Sequence, residues 1–393
     1  MGSPDSGRRR WWSICHTDLM FDELLERLRA NVDSGLPDMC DAPMKVPAST
    51  YADADQYATE IAEIFLRVPL LVALSCDVRE PGDYITFQIA GRPVIVVRGD
   101  DGTVRTLLNI CRHRGARLTE EHCGSARRFT CPYHAWSYDN RGALVGVPGD
   151  DSFGDLDVNG LMELPTEERH GAVFASLDPE ATLDLDSWLD GLGASLEALR
   201  LDELHPYRVP TTIDSPNWKL AADGYLDGYH IGYLHRNTIG RKAITNRNTY
   251  DFFGPHVRVG FATKKTRDSA EPFDPATLSE YMSLVHYVFP NVSISGGLGD
   301  SLMLSKLLPG PTVDHSTTLQ FQYYREPVEG TLVEVAEEKR ATYEAVVRDE
   351  DCATIFGIND ALGAIGDGHV VFGRNESGNQ HLHHTIQSLT QHR

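Results

Sequence analysis

The sequence predicts an α+β chain: a small all-β domain of short antiparallel strands, then a larger domain that combines strands with long helices. Two observations predict it. The hydrophobic period is helical in the first part, alternates in short runs from about residue 82, and turns helical again after residue 184. A long amphipathic stretch then fills 331–348. The predicted divisions are an N-terminal helical segment over 1–63 that packs on the last domain, a β domain over 64–180 and a mixed domain over 181–393. A length of 393 residues suits two or three domains.

Residues 1–20 are predicted to be frayed, with Gly, Ser, Pro and a triple Arg. FDELLERLRA, from Phe21, places Phe21, Leu24, Leu25 and Leu28 on one helical face. ADQYATEIAEIFLRV predicts a second helix. YITFQI alternates, GRPVIVVRG is a short buried strand, and Gly99–Gly102 is a hairpin turn. VRTLLNI, RRFTC, WSYD, ALVGV and AVFASL continue the strands. LDSWLDGLGASLEALR is helical, residues 205–325 mix strands and loops, and NWKLAADGYLDGYHIGYLH is predicted as a polar-aromatic helix.

Hydrophobic residues are 41% and charged residues 24%, which excludes collagen-like, coiled-coil and largely disordered chains. Lys and Arg number 36 against 57 Asp and Glu, a formal charge of −21. That charge repels phosphate backbones and anionic membrane faces, so neither nucleic acid nor membrane is expected as a partner. No apolar run is long enough to span a bilayer, and the triple Arg is followed by no signal-type apolar core. Seven dispersed cysteines are too few for a disulfide scaffold in a chain this size, so a cytoplasmic protein with reduced or metal-bound thiols is expected.

Two constellations carry chemistry. The first is Cys111-x-His113, then 17 residues, then Cys131-x-x-His134. Each loop offers one thiol and one imidazole. Structural zinc sites usually pair two Cys on one unit and two His on another. One Cys and one His per loop suits a [2Fe–2S] cluster instead, with two thiolates on one iron and two imidazoles on the other. Zinc, or side chains that merely pack, is the bland alternative. Cys123, inside the loop, is read as a structural thiol. The second constellation is Asp227-x-x-His230-x₄-His235. Two imidazoles and a carboxylate on one side of ferrous iron leave positions open for O₂. His230 and His235 stand five apart, about 140° on a regular helix at about 100° per residue, so a π-bulge or a helix end is predicted between them. The bland alternative is a pair of satisfied histidines.

The stretch PGDYITFQIAGRPVIVVRGDDGTVRTLLNICRHRGARL, with CPYHAWSYDNRG after it, resembles the Rieske domain of the Rieske non-haem iron oxygenases, the ring-hydroxylating oxygenase α subunits. The resemblance runs from about residue 60 to the C-terminus and implies a Rieske β domain followed by a helix-grip catalytic domain. It implies a [2Fe–2S] cluster on Cys111, His113, Cys131 and His134, and a mononuclear Fe(II) on His230, His235 and a third ligand in RDEDCATIF. The matching position is Asp351, with Asp349 and Glu350 as confusable neighbours. It makes Asp227 a bridging acid between His230 and a Rieske histidine of a neighbouring subunit, matching His134, in a homotrimer with or without a β subunit. Electrons from NAD(P)H would arrive through a reductase, with or without a ferredoxin, because no G-x-G-x-x-G opens a helix here. The implied activity is a mono- or dioxygenase for an aromatic or other small organic substrate. The alternative is a Rieske electron carrier or metal-binding scaffold with an inactive second domain.

Several weaker expectations attach to single residues. Family members commonly carry Glu-Asn where this chain has Asp223-Gly224. Lys219 is expected to be solvated, and His381, His383 and His384 are read as a solvated tail. Arg112 and Arg114 are candidates for a reductase contact. Tyr250, Phe252, Phe253, Phe261, Tyr287 and Phe289 are candidates for a substrate pocket, and Arg241 and Lys242 for a substrate carboxylate.

Overall fold

A seven-stranded antiparallel sheet forms the frame of the second domain. Its spatial order is His205–Ser215, Ser316–Tyr324, Ser301–Pro309, Val292–Gly296, Met282–Val288, His256–Thr263, Ala243–Phe253. The computed structural model describes residues 6–158, 160–268 and 277–391, with side chains of the first helix described from Met20. The α+β expectation holds. Strand Ser301–Pro309 pairs along its whole length with Ser316–Tyr324, which fixes which side chains alternate to each face.

One core joins the sheet to the helices Trp218–Leu226 and Ser377–Thr390 through Trp218, Ala222, Leu226, Tyr287, Leu382 and Ile386. A second core packs Ile294, Leu302 and Leu304 against the short helices Leu185–Leu189 and Leu192–Ala198. Those two were expected as one helix. Asp190 and Gly191 break it, both with left-handed backbone at φ 43° and 93°. The first helix covers the sheet with Phe21, Leu24, Leu25 and Leu28, the predicted face. It begins at Ser6, however, and not at Phe21; residues 1–5 of the segment expected to fray lie outside the described residues.

The small domain is built from a five-stranded sheet, in the order Glu163–Leu164, Val104–Leu108, Arg92–Arg98, Asp83–Ile89, Cys123–Ser125, and two three-stranded sheets. Ile95, Val97, Leu107, Phe129, Trp136 and Tyr138 form its core around Cys111 and Cys131. Strand Cys123–Ser125 was not predicted, and Cys123 is exposed on it.

Three further corrections bear on the site. The helix expected from Asn217 through His235 ends at Leu226, and Asp227 is extended. Gly228 follows, in a position where a Cβ would lie 1.8 Å from Asn248 Oδ1, so any other residue there would have to displace the buried Asn248 side chain. The chain then makes a 3₁₀ turn, His230–Gly232. The C-terminal histidines ride on helix Ser377–Thr390 and not in a tail: His384 is exposed, but His383, packed against the rings of Tyr51 and Phe372, is 1% exposed. Lys219 is not solvated but fully buried, paired with Glu60 at 2.5 Å, while Trp218 Nε1 donates to the same carboxylate at 3.0 Å.

Candidate metal centres

The two halves of the first constellation fold alike. The Cys111 N–H donates to Ala116 O and the Gly115 N–H to Cys111 O; the Cys131 N–H donates to Trp136 O and the Ala135 N–H to Cys131 O. Gly115 and Ala135, each four residues after its cysteine, are both left-handed at φ 78° and 57°. The two loops thus present Cys111 and Cys131 buried side by side, with the His113 and His134 rings 4.5 Å apart. His113 stacks on Trp136, nearly parallel at 7°. Its Nδ1 is buried with no hydrogen-bond partner, a state that costs free energy unless something ligates it. Burial pushes the Cys111 thiol up, but hydrogen bonds from the Tyr138 hydroxyl and the His113 and Arg114 N–H groups, with the contact to Cys131, bring it below its ordinary value. A thiol primed to ionise beside an orphaned imidazole nitrogen fits an iron–sulfur cluster. Arg112 and Arg114 are exposed next to it, and Arg114 lies over the Tyr133 ring.

The second site is assembled from two distant segments. The turn after helix Trp218–Leu226 supplies His230 and His235; a π-helical turn, Val346–Cys352, supplies Asp351. The helix end expected between the two histidines lies instead before both of them, at Leu226; a 3₁₀ turn, His230–Gly232, and the irregular turn after it let the five-residue spacing converge, and a π turn distorts the partner segment. His230 Nε2 and His235 Nε2 stand 3.2 Å apart, and Asp351 Oδ1 is 3.0 Å from His235 Nε2 and 3.8 Å from His230 Nε2. The outer nitrogens are both engaged. His230 Nδ1 meets Asp227 Oδ2 at 2.9 Å, and His235 Nδ1 meets Glu350 Oε2 at 2.6 Å. A carboxylate accepts only, so each Nδ1 carries the proton, and in the neutral imidazole, the form that ligates a metal, each Nε2 presents a bare lone pair. Two lone pairs and a carboxylate oxygen facing one another ask for a cation, and two imidazoles with one carboxylate suit ferrous iron. In the metal-free protein, burial lowers His235, but the carboxylates of Asp351 and Glu350 outweigh it and raise its pKa.

The three neighbouring acids of the predicted RDEDC segment thus diverge. Asp351 points at the imidazole pair, Glu350 holds the far side of His235, and Asp349 pairs with Arg348 at 2.7 Å. The role of Glu350 in orienting His235 was not foreseen; no spacing rule distinguishes neighbouring acids on a π turn.

A cavity of about 280 Å³ opens beside His230 and Asp351. None of the six aromatics proposed from sequence lines it; Tyr51, Tyr225 and Phe372 do. Tyr250, Tyr287 and Phe289 are core residues instead. Arg241 and Lys242 do not reach the cavity, and no Lys or Arg lines it among the described residues. Asp223 does: it accepts the Tyr51 hydroxyl at 2.7 Å and Asn379 Nδ2 at 3.2 Å, and meets His383 Nε2 at 3.2 Å. Sequence reasoning missed this cluster, although the apolar spacing of Leu382 and Ile386 was the signal that residues near 383 belong to a packed helix.

Comparisons with known proteins identify both domains. Residues 68–164 match the family described as Rieske [2Fe-2S] domain, and residues 201–392 match the family described as ring hydroxylating alpha subunit (catalytic domain). The chain is 28% identical over 363 residues to the carnitine monooxygenase oxygenase subunit of Escherichia coli, covering 88% of this chain and 93% of that protein. It is 34% identical over 239 residues to the benzene 1,2-dioxygenase subunit alpha of Pseudomonas putida, covering 57% of this chain. That match spans only about half, 47%, of the benzene protein's length. A crystal structure of a quaternary ammonium Rieske monooxygenase superposes with a TM-score of 0.78 at 22% identity, covering 90% of this chain and 97% of that one, a likeness of fold.

Proposed function

The chain belongs to the Rieske non-haem iron oxygenases, as an α subunit, and from that premise we propose that it is the terminal oxygenase of a multicomponent system acting on a small organic molecule. The observation that carries the reading is the pair of bare imidazole nitrogens, 3.2 Å apart, closed by Asp351 and opening onto a cavity. An electron carrier with an inactive second domain would have no use for that complete set, so this alternative is disfavoured.

Cys111, His113, Cys131 and His134 would hold the [2Fe–2S] cluster, and His230, His235 and Asp351 the Fe(II). When bound, these groups supply one-electron transfer and activation of O₂. The chain's own residues do the rest. Asp227 and Glu350 fix the tautomers of His230 and His235 and hold their protons at Nδ1, so that Nε2 stays available. Asp227 also accepts the Tyr229 N–H, which locks its carboxylate across the turn. The apolar wall of the cavity, with Leu220, Ile355 and Ile358, orients substrate and excludes water.

We also propose a homotrimer, with or without a β subunit, in which Asp227 links His230 to the His134 of a neighbour. Exposed aromatics support such docking: Tyr229 and Tyr233 follow Asp227 in the same turn region, and Tyr133 precedes His134. Electrons would come from NAD(P)H through a reductase, with or without a ferredoxin, and the site would be cytoplasmic. No helix among the described residues is long and apolar enough to cross a membrane. Domain limits at 63/64 and 180/181 form part of this reading. The relatives' names span aromatic and quaternary ammonium substrates, and we propose a substrate from within that range.

The test is chemical. Iron-loaded protein is reduced without air, mixed with a panel of arenes, aromatic acids and alkylammonium compounds, and exposed to ¹⁸O₂. One labelled oxygen or two in a product supports the reading. Reoxidation of the cluster by O₂ without any labelled product from the panel contradicts it.

A further inference from the structure

The charge inventory of the cavity is one-sided. Four carboxylates line it: Asp223, Asp227, Asp351 and Glu376. Asp351 faces the two imidazole lone pairs and Asp227 holds His230, so these two are committed to the iron site. Asp223 and Glu376 are not. Their surroundings supply hydrogen bonds but no fixed positive charge: Asp223 receives the Tyr51 hydroxyl, Asn379 Nδ2 and His383, and Glu376 receives the Gly373 N–H. The nearby cation, Lys219, is spent on Glu60 at 2.5 Å. Burial, and then the charges of Asp227 and Asp223, push the Glu376 carboxyl above its ordinary value against the pull of the Gly373 N–H, as expected of acids that lack a counter-ion.

A second observation is independent of the acids. Asn379 lines the same cavity, is 1% exposed, and its Oδ1 has no hydrogen-bond partner while its Nδ2 is fixed on Asp223. A buried carbonyl oxygen without a donor is costly. Among the described residues the wall therefore offers acceptors and no Lys or Arg. It also offers the rings of Tyr51, Tyr225 and Phe372, whose faces attract a positive charge.

We propose that this cavity takes an organic cation, a substrate bearing a positively charged nitrogen, with Asp223, Glu376 and Asn379 as the groups that select the charge. The assignment deepens the oxygenase reading and rests on it. A substrate carboxylate would meet the two uncommitted acids, Asp223 and Glu376, and among the described residues no Lys or Arg to offset them, so aromatic acids are selected against.

The test is calorimetric titration of the iron-loaded protein, with no reductase present. The probes are choline, benzyltrimethylammonium, protonated 2-(dimethylamino)ethanol, and 3,3-dimethylbutan-1-ol, the neutral carbon isostere of choline. At least one quaternary cation is expected to bind about tenfold or more tightly than the neutral alcohol. Asp223→Asn and Glu376→Gln should each shrink that ratio severalfold while leaving affinity for the alcohol unchanged, which also shows that the variants are folded. Tighter binding of the protonated tertiary amine than of choline assigns the Asn379 carbonyl as acceptor of an N–H and supports the same charge selection. Equal affinity for cation and alcohol, no heat from any cation, or a ratio indifferent to both variants overturns the proposal. The same samples are assayed for iron and for the reduced-cluster spin signal: if these are present, a failed titration refutes the cation assignment and not the oxygenase reading; if they are absent, the oxygenase reading itself falls.

Discussion

Asp227 and Glu350 each hold one imidazole of the candidate iron site by its outer nitrogen, yet they are expected to behave differently when removed. Glu350→Gln leaves Asp351 in place but weakens the orientation of His235, so iron affinity should fall by about 10- to 100-fold, read by metal competition. Asp227→Ala should keep both metals and nearly abolish turnover, because Asp227 also forms the proposed link toward a neighbouring subunit. Full activity in Asp227→Ala would exclude that route. At this scale the sequence carried the cysteines, the histidines and Asp227, since each sits in a local spacing pattern. It did not carry Glu350 or His383, because their roles depend on segments 115 and 160 residues away along the chain.

The site depends on where elements stop. Helix Trp218–Leu226 ends one residue before Asp227, and any other residue at Gly228 would have to displace the Asn248 side chain. Gly224 is a different case. It lies inside that helix and lines the cavity, and a Cβ there would meet nothing within 4 Å. Gly224→Ala should therefore stabilise the protein by about 0.5–1 kcal/mol, seen as a raised Tm, and larger side chains should exclude bulky substrates. The same helix anchors Lys219 on Glu60. Lys219→Ala leaves a buried, unpaired carboxylate and should cost about 3–5 kcal/mol of unfolding free energy, measured by denaturant titration. Periodicity foretold most strands of the β domain and the first helix face, but neither the individual strands of the large sheet nor these endings. A glycine that must approach another chain segment, and a lysine whose partner comes from an earlier helix, look from sequence like any other glycine and lysine.

Between the two domains, the sheet residue Lys306 reaches into the β domain. Its Nζ donates to Val72 O at 2.5 Å and lies 3.9 Å from the centre of the Phe87 ring. Burial lowers its pKa to about 7, against the pull of Asp77. The folded protein therefore binds fewer protons than the unfolded chain from about pH 7 up to the ordinary lysine range, so stability rises with pH across that window, and the cost of burying the charge is greatest below pH 7. Lys306→Met removes this slope: its Tm should gain on the native protein at pH 6 and lose that relative gain by pH 10. Parallel Tm curves would show that Lys306 does not titrate there. None of this was legible beforehand, because domain contacts join segments whose local patterns say nothing of each other, whereas the two-domain order itself was plain from the change of hydrophobic period.

The proposed oxygenase requires two separate iron centres in one chain, and counting iron while watching the reduced-cluster spin signal tests that most directly. The native protein should hold three irons per chain, and His230→Ala two, with the cluster signal unchanged in shape and intensity. Two irons in the native protein, or loss of the cluster signal in His230→Ala, would contradict it.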